Sequence, residues 1–285
     1  MDEVAQHGKG EPIIRVEGFH AAYEGMTVLE DINFEVWPGE VLVIAGGSGC
    51  GKSTMLKHMI GLYRPAGGRI VIDGQDVHAV TGRELARIRR KFGVAFQGGA
   101  LFGSLTVLEN VRMPLEEFTD LAPDMMDMIA LAKLRLVDLE GAAQKLPSEI
   151  SGGMQKRAAL ARAIALDPKI VFLDEPSAGL DPITSADLDQ LILNLSRLLR
   201  TTFVVVTHEL PSIFTIADRV VVLDASVKKM VALDGPAQLR DRSPNRWVKA
   251  FFNREASGAA ARPPEGPGVA DAADNHDTNK TEDKT

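Results

Sequence analysis

One short segment combines closely spaced glycines with a lysine and three hydroxyl side chains. Residues 46–54 read GGSGCGKST and fit the pattern G-x-x-x-x-G-K-[ST]. Glycines allow backbone N–H groups to turn toward one anion, and a helix that starts there adds its dipole. The pattern predicts that Lys52 neutralises the β- and γ-phosphates of a nucleotide and that Ser53 ligates Mg²⁺. The predicted phosphate-binding residues are Gly46, Gly47, Ser48, Gly49, Cys50, Gly51, Lys52, Ser53 and Thr54.

Two adjacent carboxylates could supply the acidic groups that metal-assisted phosphate chemistry requires. Asp174 and Glu175 follow an apolar run, and His208 follows another. The hypothesis is that Asp174 belongs to the Mg²⁺ shell and that Glu175 orients or deprotonates an attacking water. A solvated acidic turn is the alternative. His208 is predicted to contact the γ-phosphate or that water, because ligand sites of α/β proteins lie at strand ends, and a structural histidine is the alternative.

A second glycine-containing segment precedes a helical pattern. Residues 151–155 read SGGMQ, so a further anion site could lie at the start of that helix. One nucleotide does not obviously need both segments, and from these residues alone a plain N-cap at Ser151 is the simpler explanation. The candidate residues are Ser151, Gly152, Gly153, Met154 and Gln155.

Apolar runs rich in β-branched residues surround these motifs. The runs at 41–45, 170–173 and 203–206 are typical of parallel strands buried on both faces. Helical patterns at 160–166 and 188–199 alternate with them, which predicts an α/β fold. The glycine-rich segment at 46–54 follows a predicted strand and precedes a helical run. That context argues against a chance turn.

Flanking segments have other patterns. Shorter strands at 13–16, 28–36 and 69–72 suggest an antiparallel flap on the main sheet, and residues 105–165 are mostly helical in pattern. Residues 256–285 are filled with Ala, Gly, Pro and Asp and contain one Val as their only large aliphatic residue. This segment cannot form a core and is predicted to be disordered.

Composition limits the class of protein. The chain has 285 residues, 45% of them hydrophobic, which is enough for a large core. The formal charge of −7 has the wrong sign for a protein that binds nucleic acid mainly through phosphates, so no nucleic acid is expected as a partner. A single cysteine and apolar runs too short to cross a bilayer indicate a cytosolic protein that reaches a membrane through a partner.

Several motifs stand in the order found in the ATP-binding-cassette (ABC) ATPases, which this sequence resembles from about residue 12 to 250. They are residues 46–54, Gln97, residues 151–155, Asp174, Glu175, residues 178–181 and His208. The resemblance implies the P-loop NTPase fold of an ABC ATPase, in a domain at 12–255. That fold has a RecA-like core, an antiparallel β subdomain and a helical subdomain inserted at about 98–166. ATP and Mg²⁺ are the implied cofactors, and ATP hydrolysis coupled to transmembrane transport is the implied activity.

The resemblance also implies roles across a homodimer. Residues 151–155 would act in trans, closing over the nucleotide of a second copy. Gln97 resembles the residue that senses Mg²⁺ and the γ-phosphate beside a transmembrane partner. Asp181 matches a loop that reaches across the dimer. Tyr23 lies where the family places an aromatic ring that stacks on adenine, with core packing as the alternative.

A finer resemblance concerns the substrate. It is carried by FQGGALF at 96–102, LPSEISGGM at 146–154, RAALARA at 157–163 and DPIT at 181–184. These segments are similar to the ATPase subunits of Mla/MCE-type phospholipid transporters, including Met154 where most cassettes have Gln and Ile150 where most have Leu. The resemblance implies a subunit on the cytoplasmic face of the inner membrane, with an integral membrane permease and an MCE-domain lipid-binding protein as partners. The alternatives are an importer of small polar solutes and a soluble cassette acting on nucleic acid or ribosomes, which the net acidity disfavours.

Four local expectations concern side chains near these motifs. Cys50 lies inside the glycine-rich segment, where a bulky adduct is expected to block a triphosphate. Leu101 and Phe102 are apolar and suited to receive a helix from a partner, unless they belong to the core. Residues 246–252, RWVKAFF, are expected to dock on a cassette, either their own or that of the dimer partner. The basic residues between 83 and 91 are interpreted as a solvated face, with lipid or RNA as the alternative.

Overall fold

A six-stranded sheet forms the centre of the structure, a computed structural model that describes residues 10–23 and 25–255. The strands in chain order are β1 (Ile14–Tyr23), β2 (Met26–Val36), β3 (Val41–Gly46), β4 (Gly67–Ile72), β5 (Gln75–Asp76), β6 (Phe92–Ala95), β7 (Ile170–Asp174), β8 (Thr202–Val206), β9 (Arg219–Asp224) and β10 (Lys229–Asp234). The central sheet has the order β10-β9-β3-β8-β7-β6, all parallel except β10. Strands β3, β7 and β8 are buried along their full lengths, which explains their unbroken apolar sequences.

A second sheet, antiparallel and of order β2-β1-β4-β5, shares a buried hydrophobic cluster with the first. Strand β1 continues to Tyr23 instead of ending at residue 16 as the sequence pattern suggested. Its pairing with β2 is irregular between Val16 and Phe19. Gly18 has φ 54° there, and its N–H donates to Asn33 Oδ1 at 2.6 Å. This bulge breaks the alternation by which the second half of the strand could have been predicted.

Nine α-helices alternate with the strands among the described residues, and three of them follow one another between β6 and β7. The nine helices are α1 (Lys52–Met59), α2 (Gly82–Arg89), α3 (Val107–Phe118), α4 (Pro123–Leu136), α5 (Gly152–Ala163), α6 (Pro182–Leu199), α7 (Leu210–Ile216), α8 (Pro236–Arg242) and α9 (Arg246–Asn253), with 3₁₀ turns at Glu140–Ala142 and Pro147–Glu149. Helices α3, α4 and α5 pack on one another and lie within the segment predicted to be a helical subdomain. Helix α5 also packs closely on β6. The two backbones are so close that a Cβ at Gly93 would lie 1.8 Å from the Ala163 carbonyl oxygen. With both sheets in place, these helices confirm the predicted fold class.

Three of the predicted site segments follow neighbouring parallel strands. The glycine-rich loop follows β3, Asp174 ends β7 with Glu175 next to it, and His208 lies two residues beyond β8. Since β3, β8 and β7 are adjacent in the sheet, their carboxyl ends meet at one edge. This is where ligands bind in open α/β sheets.

The remaining segments settle two of the local expectations. Residues 246–252 pack on their own domain through α9, with Val248 0% and Phe252 3% exposed. The arginines on and just after α2 are exposed, as expected of a solvated face. Residues 256–285, predicted to be disordered, lie outside the described residues. Among the residues that are described, no helix is both long and apolar enough to span a membrane.

Candidate active site

The glycine-rich loop wraps around its own lysine. Lys52 Nζ donates hydrogen bonds to the carbonyl oxygens of Gly46 at 3.0 Å and Gly47 at 3.1 Å. Gly46 has φ 147°, and a Cβ there would lie 2.3 Å from the Leu223 carbonyl oxygen, so only glycine fits. The N-cap of α1 is Gly51, which has no side chain to satisfy the first amides of the helix. The start of α1 therefore offers an anion amides that no side chain caps, together with the ammonium group of Lys52.

Asp174 and Ser53 lie side by side at the base of the loop. Ser53 Oγ donates to Asp174 Oδ1 at 3.1 Å, and Asp174 is 7% exposed. Burial raises the pKa of Asp174, and the nearby Glu175 raises it further, against the hydrogen bond from Ser53. A buried carboxylate beside a hydroxyl oxygen is a donor set that suits Mg²⁺, whose charge would offset the cost of burying the carboxylate.

Glu175 and His208 form a hydrogen-bonded pair. His208 Nδ1 and Glu175 Oε1 are 2.8 Å apart, and Glu175 is 8% exposed. Glu175 Oε2 is buried and has no hydrogen-bond partner among the described residues. The backbone of Glu175 has φ 47°, a region that non-glycine residues adopt at some energetic cost. The strand end therefore holds one carboxylate oxygen fixed and leaves the other available to a ligand.

The loop, Glu175 and His208 line one cavity of about 570 Å³, which we call the phosphate-loop cavity, whereas Asp174 lies outside the lining and reaches it through Ser53. Its volume is in the range of about 300–1,000 Å³ typical of small-molecule sites. The lining residues are Val28, Gly46, Gly47, Ser48, Gly49, Gly51, Lys52, Ser53, Thr54, Gln97, Glu175, His208 and Phe251. The cavity thus brings together the predicted loop, Gln97, Glu175 and His208. Val28 and Phe251 also line it, although the sequence did not identify them as site residues.

The side chain of Cys50 points away from this cavity. Cys50 is 1% exposed, and a Cβ at Gly46 would lie 2.6 Å from its Sγ atom. Burial raises the pKa of the thiol, so the reactive thiolate is scarce. A thiol reagent therefore has little access to Cys50 in the folded protein, and the block of a triphosphate by a bulky adduct stays a prediction. Only the backbone of Cys50 can contribute to the loop.

Residues 151–155 lie outside the phosphate-loop cavity of their own chain. Ser151 caps α5, its Oγ accepting from the Met154 N–H at 3.3 Å. Gln155 Nε2 donates to the carbonyl oxygens of Pro147 at 2.9 Å and Ile150 at 3.4 Å, so its amide holds the preceding turn in place. Met154 packs against the core. Within one chain these residues organise a helix start and do not meet the loop.

Helix α5 is also hydrogen-bonded to the segment that carries Gln97, a contact that the sequence did not indicate. Lys156 Nζ donates to the carbonyl oxygen of Gln97, and burial lowers the pKa of Lys156. Further along α5, Arg162 donates to the carbonyl oxygens of Gly99 and Ala100, both at 2.7 Å. Gln97 itself is exposed on the cavity wall. The backbone at 97–100 is therefore fastened to α5 at two points.

Tyr23 and Asp181 are not among the residues that line the cavity. The ring of Tyr23 is in edge contact with Tyr63, with centroids 5.7 Å apart, and is 38% exposed. Its stacking on adenine stays a prediction. Asp181 caps α6, its Oδ1 accepting from the N–H groups of Ile183 at 3.0 Å and Thr184 at 3.1 Å. Ile183 next to it is 77% exposed.

Known proteins are similar to this chain in sequence and in fold. The family described as "ABC transporter" matches residues 29–178. The chain is 42% identical to a Mycobacterium leprae protein named probable ribonucleotide transport ATP-binding protein mkl, over 84% of this chain and 68% of that protein. It is 41% identical to the intermembrane phospholipid transport system ATP-binding protein MlaF of Escherichia coli K12, over 81% of this chain and 85% of that protein.

Solved structures show the same architecture. One is a dimeric ATP-binding cassette in a post-hydrolysis state with ADP and phosphate bound, at a TM-score of 0.71 and 31% identity, covering 78% of this chain and 98% of that one. Another is cbiO1 from Clostridium perfringens, part of an ABC transporter complex, at a TM-score of 0.72 and 26% identity, covering 85% of this chain and 99% of that one.

Proposed function

The chain belongs to the ABC transporter family of ATP-binding subunits, and from this premise we propose that its ATP hydrolysis drives phospholipid transport through a separate membrane permease. The observation that carries the lipid assignment is the 41% identity to MlaF over 85% of that protein's length. The arrangement around the phosphate-loop cavity supports the hydrolytic chemistry.

Each group at the cavity has a task in ATP hydrolysis. The loop amides and Lys52 bind the triphosphate, and the open N-terminus of α1 adds its dipole. Ser53 and Asp174 would hold Mg²⁺, which when bound neutralises charge on the phosphates. Glu175 orients the attacking water through Oε2 while His208 holds Oε1 in place. Gln97 stands on the cavity wall, where it can respond to the γ-phosphate.

We place the working unit in a homodimer, with a permease on the surface beside Gln97. Residues 151–155 lie outside their own cavity, which supports a role over the nucleotide of a second copy. Phe102 is 51% exposed and available to a partner helix, whereas Leu101 packs on the core. An MCE-domain lipid-binding protein completes the proposed complex on the cytoplasmic face of the inner membrane. This partner rests on the resemblance to the Mla/MCE-type subunits.

A polar substrate is the second candidate, because the mkl protein is named as a probable ribonucleotide transporter subunit and is 42% identical to this chain. The chain spans only about two thirds of the length of that relative, against 85% of MlaF. The longer coverage favours the phospholipid assignment. A soluble cassette acting on nucleic acid or ribosomes is not favoured by these relatives.

Reconstitution of the purified complex decides between the two substrates. The ATPase, its co-purified permease and the lipid-binding partner are placed in proteoliposomes with a labelled phospholipid and, separately, a labelled ribonucleotide. We expect ATP-dependent movement of the phospholipid, and none with the Glu175→Gln variant. Movement of the ribonucleotide while the phospholipid stays in place would reject the lipid assignment. The ATPase assignment would stand.

A further inference from the structure

Helix α9, the last helix among the described residues, contributes Phe251 to the lining of the phosphate-loop cavity. Phe251 lies far from Lys52 in the sequence, yet both line the same cavity. The ring of Trp247 stacks on that of Phe251, with centroids 5.6 Å apart and an interplanar angle of 27°. Trp247 Cζ2 also lies 3.9 Å from the position a Cβ would take at Gly47. The pair therefore stands directly beside the loop.

We propose that the ring of Phe251 contacts the nucleotide bound in the phosphate-loop cavity, with Trp247 holding that ring in place. The inference rests on ATP occupying this cavity, as proposed above.

Packing fixes α9 in its position against the loop. Asn245 caps the helix, its Oδ1 accepting from the N–H groups of Trp247 at 2.9 Å and Val248 at 3.3 Å. The buried face carries Val248 and Phe252, and the ring of Phe252 is in edge contact with Phe214 of α7, with centroids 6.0 Å apart. Because this face is inside the core, the adjacent face with Phe251 is held against the cavity.

The chemistry of the cavity leaves a place for such a ring. The part of the lining formed by the glycine-rich loop carries backbone amides, hydroxyl groups and Lys52, which suit phosphates, whereas a nucleotide also has a ribose and a base with apolar surface. Tyr23, the aromatic residue predicted for this contact, lies outside the lining. Phe251 and Val28 are its large apolar side chains. A phenylalanine ring there covers apolar nucleotide surface and excludes water from the site.

The chain contains two tryptophans, which allows a direct test. Trp37 precedes β3 and the loop follows β3, so about 20 Å of strand separates Trp37 from the cavity. Trp37→Phe leaves Trp247 as the only indole, and Trp247→Phe leaves Trp37. Emission of each full-length variant is titrated with MgADP and MgATP, and binding is measured independently by calorimetry. MgADP is included because it has no γ-phosphate, so it shows whether the change in emission needs the nucleotide that is hydrolysed.

We expect the Trp37→Phe protein to show a saturable change in emission with both nucleotides, with a midpoint that matches calorimetry. The Trp247→Phe protein should show none. Binding by calorimetry without a change at Trp247 would overturn the inference and leave the ATP site intact, whereas no binding at all would overturn both. A change seen only with MgATP and growing with protein concentration would place the contact in the dimer, and would also overturn the inference.

Substitution of the ring gives an independent measurement. Phe251→Ala should weaken nucleotide binding about threefold to tenfold, and Phe251→Leu less, because part of the apolar contact is kept. Lys249→Ala is the matched control, since Lys249 is exposed on the same helix. If Phe251→Ala lowers the melting temperature, Phe251→Leu carries the comparison. Affinities equal to that of Lys249→Ala in both Phe251 variants would refute the contact.

Discussion

Removing His208 tests how the cavity controls the attacking water. In the structure Glu175 has one oxygen held by His208 Nδ1 at 2.8 Å and the other without a partner among the described residues. His208→Ala leaves the carboxylate free to rotate within its strained backbone position. ATP binding should be retained, because the loop and Lys52 are untouched. The rate of hydrolysis should fall.

The size of the effect follows from the exposure of the pair. A hydrogen bond to a charged group contributes about 1.5–3 kcal/mol. The side chain of His208 is 60% exposed, so water replaces part of the lost contact, and the lower end of that range applies. About 1.5 kcal/mol corresponds to a roughly tenfold lower kcat. Glu175→Gln removes the group that orients the water and should cost about 10²–10⁴ in rate.

A double-mutant cycle provides the assay. Phosphate release and ATP affinity are measured for His208→Ala, Glu175→Gln and the double variant, with His208→Gln as the conservative replacement. If His208 acts through Glu175, the double variant should be no slower than Glu175→Gln alone. A kcat of His208→Ala above half the wild-type value, or rate losses that multiply in the double variant, would refute this account of the pair.

Three further predictions concern binding, coupling and stability. Lys52→Ala should weaken ATP binding roughly tenfold or more, because the charged donor in the loop is lost, whereas Glu175→Gln should retain binding; equilibrium ATP titration distinguishes them. Phe102→Asp should preserve ATP binding and reduce hydrolysis stimulated by the permease, since Phe102 is exposed. Leu101→Asp should instead lower the melting temperature, because Leu101 packs on the core. Thermal melts and co-purification with the permease, measured for each variant, distinguish the two effects. Burial raises the pKa of Asp189 to about 6, so the folded protein holds a proton that the unfolded chain loses, and stability falls as pH rises from about 4 to 6. Asp189→Asn should remove that part of the decrease, at most about 3 kcal/mol, in melts from about pH 4 to 8, and an unchanged pH profile would contradict the burial argument.

The loop and the strand-end residues were predictable because their function depends on local context. A glycine-rich segment between a buried strand and a helix has one main use, and adjacent parallel strands bring their carboxyl ends together. Glu175 and His208 meet at 2.8 Å although 33 positions separate them, and the strand pattern alone anticipated their shared edge.

The missed features depend on tertiary packing. Nothing in the order of residues tells which surface an amphipathic helix such as α9 will cover, so Phe251 was assigned to a docking segment and not to the cavity. Within the loop, the backbone turns so that Cys50 faces the core while its neighbours face the cavity, a direction that the spacing of glycines does not specify. The bulge at Gly18 hid half of β1 for a similar reason.

Helix α5 behaves as a stiff arm about 18 Å long, clamped to the backbone at 97–100 by Lys156 and Arg162. Both contacts join a part-buried cation to carbonyl oxygens, and Lys156 also donates to the carbonyl oxygen of Glu175 at 3.4 Å, so separating the two segments would cost hydrogen bonds in a place with little water. A displacement of the arm must therefore carry the clamped backbone along before the clamps give way. We therefore expect a movement at the Ser151 end of α5 to shift the backbone at 97–100, next to the exposed Phe102.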